Sequence, residues 1–441
     1  MFGMETVTND ADLLIIGAGA AGLSAGRALA EAGVRIRLLE ARDRIGGRVW
    51  TVHDPASAVP IELGAEFIHG KAPETFEIVE QAKLAVQEVD GDRWCSRKGQ
   101  LEICRNLYDE FEKVFERMKY DGPDRSFLEF LRAEGANLPE DLRKLTLEYI
   151  EGFEAASPER ISEHALVREN KASEEIEGDR AFRVMSGYER VIGEMGKGLT
   201  IHLSTEVRAV RWKRGAVEIE TERGTYCGRS ALVTLPLAVL QAGVVKFEPE
   251  LVSKQNALAH LESGPVVRVV LRFSERFWED IEVKGRSMSK MSFLHSDDRN
   301  FPTWWTTMPR ISTLLTGWSA GPHGAALSRK SNDEVVDIAV CSIAGLLKMD
   351  PTRVRELMEA SYFHNWERDS YSGGAYSYAC VGGIDAAREL AMPVESTLFF
   401  AGEATEFNGK QGTVAGAIAS GQRAAREILE VLAQDSIPDR G

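Results

Sequence analysis

The chain has 441 residues, of which 44% are hydrophobic and 27% are charged, and its formal net charge is -15. This length exceeds what one simple hydrophobic core supports, so the composition predicts a globular protein of two or three domains. A surface this acidic repels nucleic acid and anionic lipid, and we expect neither a nucleic acid nor a membrane as a partner.

The cysteines and the chain ends bear on the compartment. The cysteines are odd in number, and no pair has C-x-x-C or metal-ligand spacing, which predicts reduced thiols, a cytoplasmic protein and no metal site. Met1–Asn9 has no basic region and the polar C-terminal end has no apolar anchor, so we expect no signal peptide and no membrane span. The cysteines are Cys95, Cys104, Cys227, Cys341 and Cys380.

The N-terminal segment has the pattern of a strand, a glycine turn, a helix and a second strand. Asp12–Ile16 is a short apolar run typical of a buried parallel strand. Ala20–Ala32 is rich in small residues and predicts a helix that ends at Gly33, and Val34–Glu40 predicts the next strand. This unit of about 30 residues has the size of a βαβ half-site for a dinucleotide.

The glycine turn indicates the chemistry of this half-site. Gly17 would make the tight turn, Gly19 would let the backbone approach phosphates, and Gly22 would let the helix pack closely on the sheet. The helix N-terminus supplies a positive field, and Glu40 stands where an acid should hold ribose hydroxyls. The alternative is a tight turn without a ligand. The expected dinucleotide contacts of this unit are Gly17, Gly19, Ala20, Ala21, Gly22 and Glu40.

The middle of the chain changes character twice. Residues from about 72 to 180 are charged and predict helices, with a capping box formed by Ser126 and Glu129 and a second helix start at Ser157–Pro158. From His202 the hydrophobic period becomes two and predicts a β-meander. Its strands are expected at Val207–Trp212, Ala216–Thr221 and Thr225–Cys227.

The remaining elements complete an α/β architecture. Strands are expected at Ala231–Leu235, Val266–Phe273 and Thr397–Ala401, an amphipathic helix at Asp333–Lys348 and a last helix at Thr413–Leu432. We predict a Rossmann-type dinucleotide domain interrupted by an interleaved α+β substrate domain. The dinucleotide domain is assigned to 1–75, 182–262 and 388–441, and the substrate domain to 76–181 and 263–387.

The segment after Glu40 favours FAD over NAD. Its arginines and its Gly-Gly pair form a second anion-binding corner that a nicotinamide dehydrogenase does not need, and the alternative is a solvated basic loop. The pattern Glu-Ala-Arg followed by Arg-x-Gly-Gly-Arg resembles the flavin-containing amine oxidases: monoamine oxidases, polyamine oxidases and flavin histone demethylases. The segment reads Ala41–Arg42–Asp43–Arg44–Ile45–Gly46–Gly47–Arg48.

The resemblance continues to the end of the chain, through Glu62–Gly70, Gly187–Tyr188, Leu235–Pro236, Phe247–Pro249, Phe277–Trp278, Phe399–Thr405 and Gly412–Val414. It implies an FAD-binding domain of the amine oxidase and glutathione-reductase-like kind. Val207 would meet adenine, Glu403 would reach the ribityl-pyrophosphate region or act as a cap, and Thr413 with Val414 would aim a helix N-terminus at the flavin pyrimidine. The further contacts implied are Ala41, Arg42, Gly47, Arg48, Gly64, Ala65, Glu66, Phe67, Val207, Gly402, Glu403, Thr413 and Val414.

The resemblance also implies a substrate site. Ala375 stands where monoamine oxidases have a cysteine bonded to the flavin, so FAD should be noncovalent. Tyr376 matches one wall of an aromatic cage that guides an amine, with core packing as the alternative, and Thr413 stands at the second wall. His69 could hydrogen-bond the amine or be a satisfied structural histidine.

Four further residues have open assignments. Arg268 replaces the family lysine that holds a water near the flavin; it could anchor a water or an anion, bind a substrate carboxylate, or face solvent. Trp304, Trp305 and Trp318 could line the cavity, although core packing is the more common role of such residues.

The function implied is the oxidation of a polyamine, a monoamine or an amino acid by hydride transfer to the flavin, which gives an imine that water hydrolyses. Oxygen or another acceptor would then reoxidise the flavin. Arg268, Tyr376 and His69 are the catalytic candidates. The alternatives are oxidation or desaturation of a non-amine substrate and a flavin-bound interaction module with little turnover. The sequence names neither the amine nor the oligomeric state.

Overall fold

The computed structural model describes residues 11–104, 107–135 and 137–435. The expectations for Met1–Asn9 and for the chain beyond residue 435 lie outside the described residues. The helices, numbered α1 to α14 in chain order, are Ala20–Glu31, Pro73–Gln81, Leu107–Phe115, Phe127–Glu134, Glu140–Gly152, Glu163–Glu175, Glu189–Gly196, Leu237–Ala242, Gln255–Ala259, Gly321–Ser328, Asn332–Leu346, Pro351–Leu357, Ala386–Ala391 and Val414–Asp435.

The strands, numbered β1 to β25 in chain order, are Leu13–Ile16, Ile36–Leu39, Thr51–Val52, Ile61–Glu62, Phe67–His69, Val86–Glu88, Asp92–Arg97, Gln100–Ile103, Ala181–Val184, Ile201–His202, Val207–Lys213, Ala216–Thr221, Gly224–Gly228, Ser230–Val233, Lys246–Glu248, Leu261–Gly264, Val266–Phe273, Glu282–Val283, Arg286–Ser287, Met291–Ser296, Thr303–Trp305, Leu314–Ala320, Met358–Phe363, Tyr376–Ala379 and Leu398–Phe400. Short 3-10 helices occur at Val252–Lys254, Phe277–Asp280, Met288–Lys290 and Glu403–Thr405.

A parallel sheet organises the dinucleotide part of the molecule. Its strand order is β10-β2-β1-β14-β25, and each neighbouring pair is parallel. All four residues of β1 are buried, as expected for a strand covered on both faces. The predicted meander is present as the antiparallel strands β11, β12 and β13. The predicted α/β fold class is therefore confirmed.

The first and last long helices pack against each other beside this sheet. A Cβ added at Gly421 in α14 would lie 2.3 Å from the carbonyl oxygen of Ala21 in α1, so the two backbones approach closely. The Ser24 hydroxyl donates to the carbonyl of Ile418 at 3.0 Å. Because α1 and α14 each follow a strand of the same parallel sheet, both N-termini lie at one sheet edge.

A second, mixed sheet forms the other half of the molecule. Its order is β23-β17-β22-β21-β20-β7-β8, and the core packed on it includes Trp94, Trp278 and Trp304. The pairing of β17 with β22 sets Arg268 opposite Trp318. The five-stranded sheet draws its strands from 13–39, 201–233 and 398–400, whereas this one draws them from 92–103 and 266–363. The exact domain boundaries stay a prediction.

Helices α3 to α6 form a helical layer with a core that includes Phe127, Phe130 and Ile150. The capping box is confirmed, because Glu129 N donates to the Ser126 hydroxyl at 3.2 Å and Ser126 N donates to the Glu129 carboxylate at 2.9 Å. The helix start predicted at Ser157–Pro158 is wrong. That segment is a turn, and α6 begins after Ser162, whose hydroxyl accepts from Ala165 N at 3.0 Å.

The expectation of helix throughout 72–180 is wrong for strands β6, β7 and β8. Two of these strands have partners far away in the chain: β6 pairs with β9, and β7 pairs in parallel with β20, while β8 pairs with the neighbouring β7. A charged segment takes the strand conformation when a distant strand supplies the hydrogen bonds that its backbone requires.

The prediction of five reduced thiols is wrong. Cys95 and Cys104 form a disulfide, with their Cα atoms 5.3 Å apart. The hairpin of β7 and β8 brings the two residues side by side, and Cys104 N donates to the carbonyl of Arg93 at 2.9 Å. Cys227, Cys341 and Cys380 are free thiols. The cytoplasmic location therefore stays a prediction.

Among the described helices, none is both long and apolar enough to cross a membrane.

Candidate active site

A cavity of about 1450 Å³ is lined by residues from both halves of the molecule. Of the site residues predicted from the sequence, all except Gly22 line it. The structure thus brings together, around one space, residues that are separated by up to nearly 400 positions in the chain. The roles assigned to them stay predictions, and their geometry follows below.

The glycine turn has the shape that a phosphate ligand requires. Gly17 has a φ of +104°, which favours glycine. A Cβ added at Gly22 would lie 2.1 Å from the carbonyl oxygen of Gly17, whereas one added at Gly19 would meet nothing within 4 Å. The N-cap residue of α1, Gly19, provides no side-chain cap, so the amides of the first turn are left for a ligand. The cradle fits a dinucleotide pyrophosphate.

Glu40 holds this turn through hydrogen bonds from the backbone. Its side chain is buried, and its two carboxylate oxygens accept from Ala18 N at 2.7 Å and from Arg42 N at 2.9 Å. Two backbone donors hold the carboxylate in place. It lies at the end of β2, beside the turn, where the sequence predicts ribose contacts.

The three arginines of the following segment differ in their partners. Both terminal nitrogens of Arg42 donate a hydrogen bond to Asp369, each at 2.8 Å. Arg44 donates to the carbonyl of Gly47 at 2.9 Å and stacks on Trp50, and burial lowers its pKa to about 10. Arg48 donates to Glu403 at 3.0 Å and also to the carbonyl of Ala375. The alternative of a solvated basic loop is wrong, since the Arg42 side chain is only 11% exposed.

Glu403 joins three segments at the middle of the cavity. Besides the bond from Arg48, its second oxygen accepts from the Ser377 hydroxyl at 2.6 Å and from Gly412 N at 3.1 Å. Gly402 before it has a φ of +130°. The carboxylate therefore fixes the loop that leads into α14 against strand β24.

The N-terminus of α14 lies beside Tyr376. The Thr413 hydroxyl donates to the carbonyl of Lys410 at 2.8 Å and accepts from Gly416 N at 2.9 Å, so this side chain caps the helix. Tyr376 donates its hydroxyl to the carbonyl of Phe153 at 2.6 Å. Burial and the nearby Glu154 raise the pKa of Tyr376 above its ordinary value, which keeps the phenol neutral.

His69 lies at the same end of the cavity. Its ring is 5.6 Å from that of Phe153 and 6.0 Å from that of Phe67. Burial lowers the pKa of His69 to about 4, so the imidazole is neutral at physiological pH. A neutral imidazole can donate a hydrogen bond to an amine or accept one from it, and it does not repel a protonated amine.

Arg268 is buried, which makes its solvent-facing alternative wrong. It donates to the carboxylate of Glu66 and to the carbonyl of Gly64 at 2.8 Å. Arg183 and the indole nitrogen of Trp305 also donate to Glu66. Burial alone would raise the pKa of Glu66, but the two arginines hold it below its ordinary value. Glu66 is shared by two arginines, so its single charge does not balance both, and Arg268 Nε has no hydrogen-bond partner among the described residues. The water, anion and substrate-carboxylate roles of Arg268 therefore stay predictions.

Two carboxyl groups were missed by the sequence analysis. Glu154 and Glu169 line the cavity and come from the segment 72–180, which carries little of the family resemblance. The charge of Glu154 acts on Tyr376. Burial raises the pKa of Glu154 to about 7, and burial together with the charge of Glu154 raises that of Glu169 well above its ordinary value. No sequence signal marks two glutamates 15 positions apart. Of the three tryptophans with open assignments, Trp305 and Trp318 line the cavity, while Trp304 lies in the hydrophobic core.

Comparison with known proteins agrees with this geometry. Residues 20–429 match the family described as "Flavin containing amine oxidoreductase". Polyamine oxidase 4 of Oryza sativa subsp. japonica is 28% identical over 97% of this chain and 90% of its own length. Lysine-specific histone demethylase 2 of Homo sapiens is 28% identical over 94% of this chain and 53% of its own length.

A solved structure shows the same fold. A double mutant of putrescine oxidase superimposes with a TM-score of 0.82 at 19% identity, covering 96% of this chain and 100% of that chain. The fold, the phosphate cradle and the family match over almost the whole sequence lead to one conclusion. The chain belongs to the family of flavin-containing amine oxidoreductases and is a flavin-dependent enzyme that oxidises amines.

Proposed function

We propose that this enzyme oxidises a diamine or a polyamine, with one amine beside the flavin and a second, charged amine held by Glu154 and Glu169. The carboxyl pair in the cavity is the observation that carries this proposal. The polyamine oxidases and putrescine oxidase among the similar proteins support the same substrate class.

Among the described residues, the one cation that acts on this pair is Arg168, which lowers the pKa of Glu169 but leaves it well above its ordinary value. Burial removes hydration from both carboxyl groups and raises the pKa of each, and the charge of Glu154 adds to the shift of Glu169. A ligand ammonium group would relieve both costs and draw the pair into its ionised form. A substrate with a single amine group, placed at the reacting end, would leave the pair uncompensated.

The reacting end is formed by neutral groups. Phe153 lies between His69 and Tyr376. Its carbonyl oxygen accepts the hydrogen bond of the Tyr376 hydroxyl, and its ring contacts the imidazole of His69. We assign to His69 the hydrogen bond that orients the uncharged amine, and to Tyr376 one wall that confines it. The bound flavin supplies the acceptor for the hydride from the carbon that bears this amine. Arg268 acts by fixing Glu66 and the segment that contains Gly64.

We further propose that the cofactor is FAD held without a covalent bond. Ala375 offers only a methyl group, and among the described residues Cys95 is the one cysteine that lines the cavity. Its sulfur is already bonded to Cys104. Acid precipitation of the protein should therefore release all the flavin into the supernatant, and flavin retained in the pellet would contradict this.

A non-amine substrate is not favoured. A desaturase acting on an apolar molecule has no use for two carboxyl groups that raise the polarity of the cavity. The electron acceptor, oxygen or another oxidant, stays the prediction made from the sequence.

The test compares putrescine with n-butylamine, which has the same carbon chain and one amine fewer. We expect putrescine to reduce the bound flavin anaerobically at least about tenfold faster at low concentration, because one relieved charge is worth about 1.4 kcal/mol or more. Glu154→Gln and Glu169→Gln should remove this preference and leave the rate with n-butylamine within about twofold.

The matched control is Glu175→Gln, an exposed glutamate on the same helix as Glu169. It should keep the preference for putrescine. Equal rates for the two amines in the wild-type enzyme, or an unchanged preference in both glutamine variants, would contradict the proposal.

A further inference from the structure

Asp369 makes an unusual set of contacts across the molecule. It belongs to the half that contains the seven-stranded sheet, yet it accepts two parallel hydrogen bonds from Arg42, which follows β2 of the dinucleotide half. His364 Nε2 lies 2.7 Å from the same carboxylate, and Tyr371 N donates to it at 2.8 Å. Ser372 adds a hydroxyl that accepts from Arg42 at 3.1 Å.

These contacts are removed from solvent. The side chains of Arg42 and Asp369 are 11% and 6% exposed. The Arg42 guanidinium also lies 5.3 Å from the ring centre of Tyr371 and 5.9 Å from that of Trp366. Burial opposes ionisation of Asp369, but its hydrogen bonds from His364 and Arg42 keep its pKa below the ordinary value, so the ion pair persists at neutral pH.

This geometry changes the role expected for Arg42. Both of its terminal nitrogens point at Asp369, and its charge is matched there. A bidentate pair of this kind is well ordered and specific, and separating it would leave two buried charges without partners. The charge of Arg42 therefore has a protein carboxylate as its partner, and the predicted contact of Arg42 with the dinucleotide stays a prediction.

The segment held by this pair covers one end of the cavity. Ser370, Tyr371 and Ser372 line it together with Glu40 and Val207, the residues assigned to the adenosine part of the cofactor. The Tyr371 hydroxyl donates to Glu206 at 2.8 Å, which fastens the segment to the residue before Val207. The segment thus forms part of the cavity wall beside Glu40 and Val207.

We propose that the Arg42–Asp369 pair is a latch that holds the 364–373 segment over the adenosine end of the dinucleotide site and thereby sets how long the cofactor stays bound. Asp369 is then a positioning residue for the cofactor, supplied by the half of the molecule that binds the substrate. The inference rests on the proposed binding of noncovalent FAD.

The test is the binding of FAD to the apoprotein of Asp369→Asn. The amide keeps the size of the side chain but loses the charge that matches Arg42. We expect the Kd for FAD, measured by flavin fluorescence titration, to rise at least about tenfold, chiefly through faster dissociation. Ser372→Ala removes one hydrogen bond to Arg42 and should raise the Kd by a smaller factor of about two to five.

Three comparisons separate a latch from a merely structural role. Asp43→Asn, an exposed acid in the same loop as Arg42, should leave the Kd unchanged. A structural role alone would lower the Tm of the apoprotein but not the FAD affinity of the folded fraction, so both are measured. Wild-type protein that binds no FAD would contradict the proposed function. Wild-type protein that binds FAD while Asp369→Asn and Ser372→Ala bind it equally well would overturn the latch alone.

Discussion

The two ends of the cavity differ in the groups that form them, which are backbone groups at one end and side chains at the other. At the phosphate end the site is formed by backbone: Gly17 and Gly22 shape the turn, and open space lies over Gly19. At the amine end the site is formed by side chains: Glu154, Glu169 and Tyr376 come from separate segments and line the same cavity. A backbone site is visible in a short stretch of sequence, whereas a side-chain site appears only when distant segments meet.

The two ends should also respond differently to substitution. A backbone cradle has no side chain to remove, so it is damaged by adding atoms. A cluster of buried charges is damaged by removing one charge, since its partners are then left uncompensated. Three experiments test this contrast, beginning with the largest expected effect.

Gly22→Ala should abolish flavin binding. The added Cβ would lie 2.1 Å from the Gly17 carbonyl oxygen, which forces the turn and α1 apart. Overpacking typically costs about 1–3 kcal/mol, but a carbon this close to a backbone oxygen exceeds that range and displaces the amides that face the phosphates. The purified variant should be colourless, and its absorbance spectrum checks this.

The matched control for that variant is Gly193→Ala. Gly193 lies within α7, and a Cβ there would meet nothing within 4 Å. This substitution should leave the flavin bound and stabilise the protein by about 0.4–1 kcal/mol. A yellow Gly22→Ala protein would break the proposed contrast at its strongest point.

Glu66→Gln should lower the free energy of unfolding by about 3–5 kcal/mol, because it leaves Arg183 and Arg268 buried without a compensating charge. Denaturant titration measures this. In the control Glu222→Gln, the pair with Arg208 is exposed, and the change should stay within about 0.5 kcal/mol. Equal losses in the two variants would show that burial does not decide the outcome.

The smallest effect concerns pH. Burial raises the pKa of Glu62 from its ordinary 4.5 to about 7, although Thr51 and Tyr188 donate hydrogen bonds to it. The unfolded carboxyl loses its proton near 4.5 while the folded one keeps it to about 7. Glu62 therefore makes stability fall as pH rises between these values, by up to about 1.4 kcal/mol per pH unit, and the fall ends above pH 7.

Comparison of the wild type with Glu62→Gln isolates this contribution. His69 and His295, with pKa values lowered to about 4, act in the opposite direction below pH 6.5 and are common to both proteins. The stability of the glutamine variant relative to the wild type should rise between pH 5 and 7 and be constant above. A difference that does not change with pH would assign Glu62 an ordinary pKa.

The sequence by itself determined the phosphate end, the α/β class and the family. The reason is that a strand, a glycine turn, a helix and Glu40 interact within about 30 residues, so their spacing carries the geometry. The same locality made the Ser126 capping box predictable. Arg268 and Tyr376 were located by pattern, but their partners were not.

Tertiary structure alone decided the rest. Strand β7 pairs in parallel with β20, a strand far away in the chain. The pairing of Arg42 with Asp369 spans 327 positions in the chain. Spacing carries no information about such contacts, because the free energy that brings these groups together comes from the packing of the sheets and helices between them.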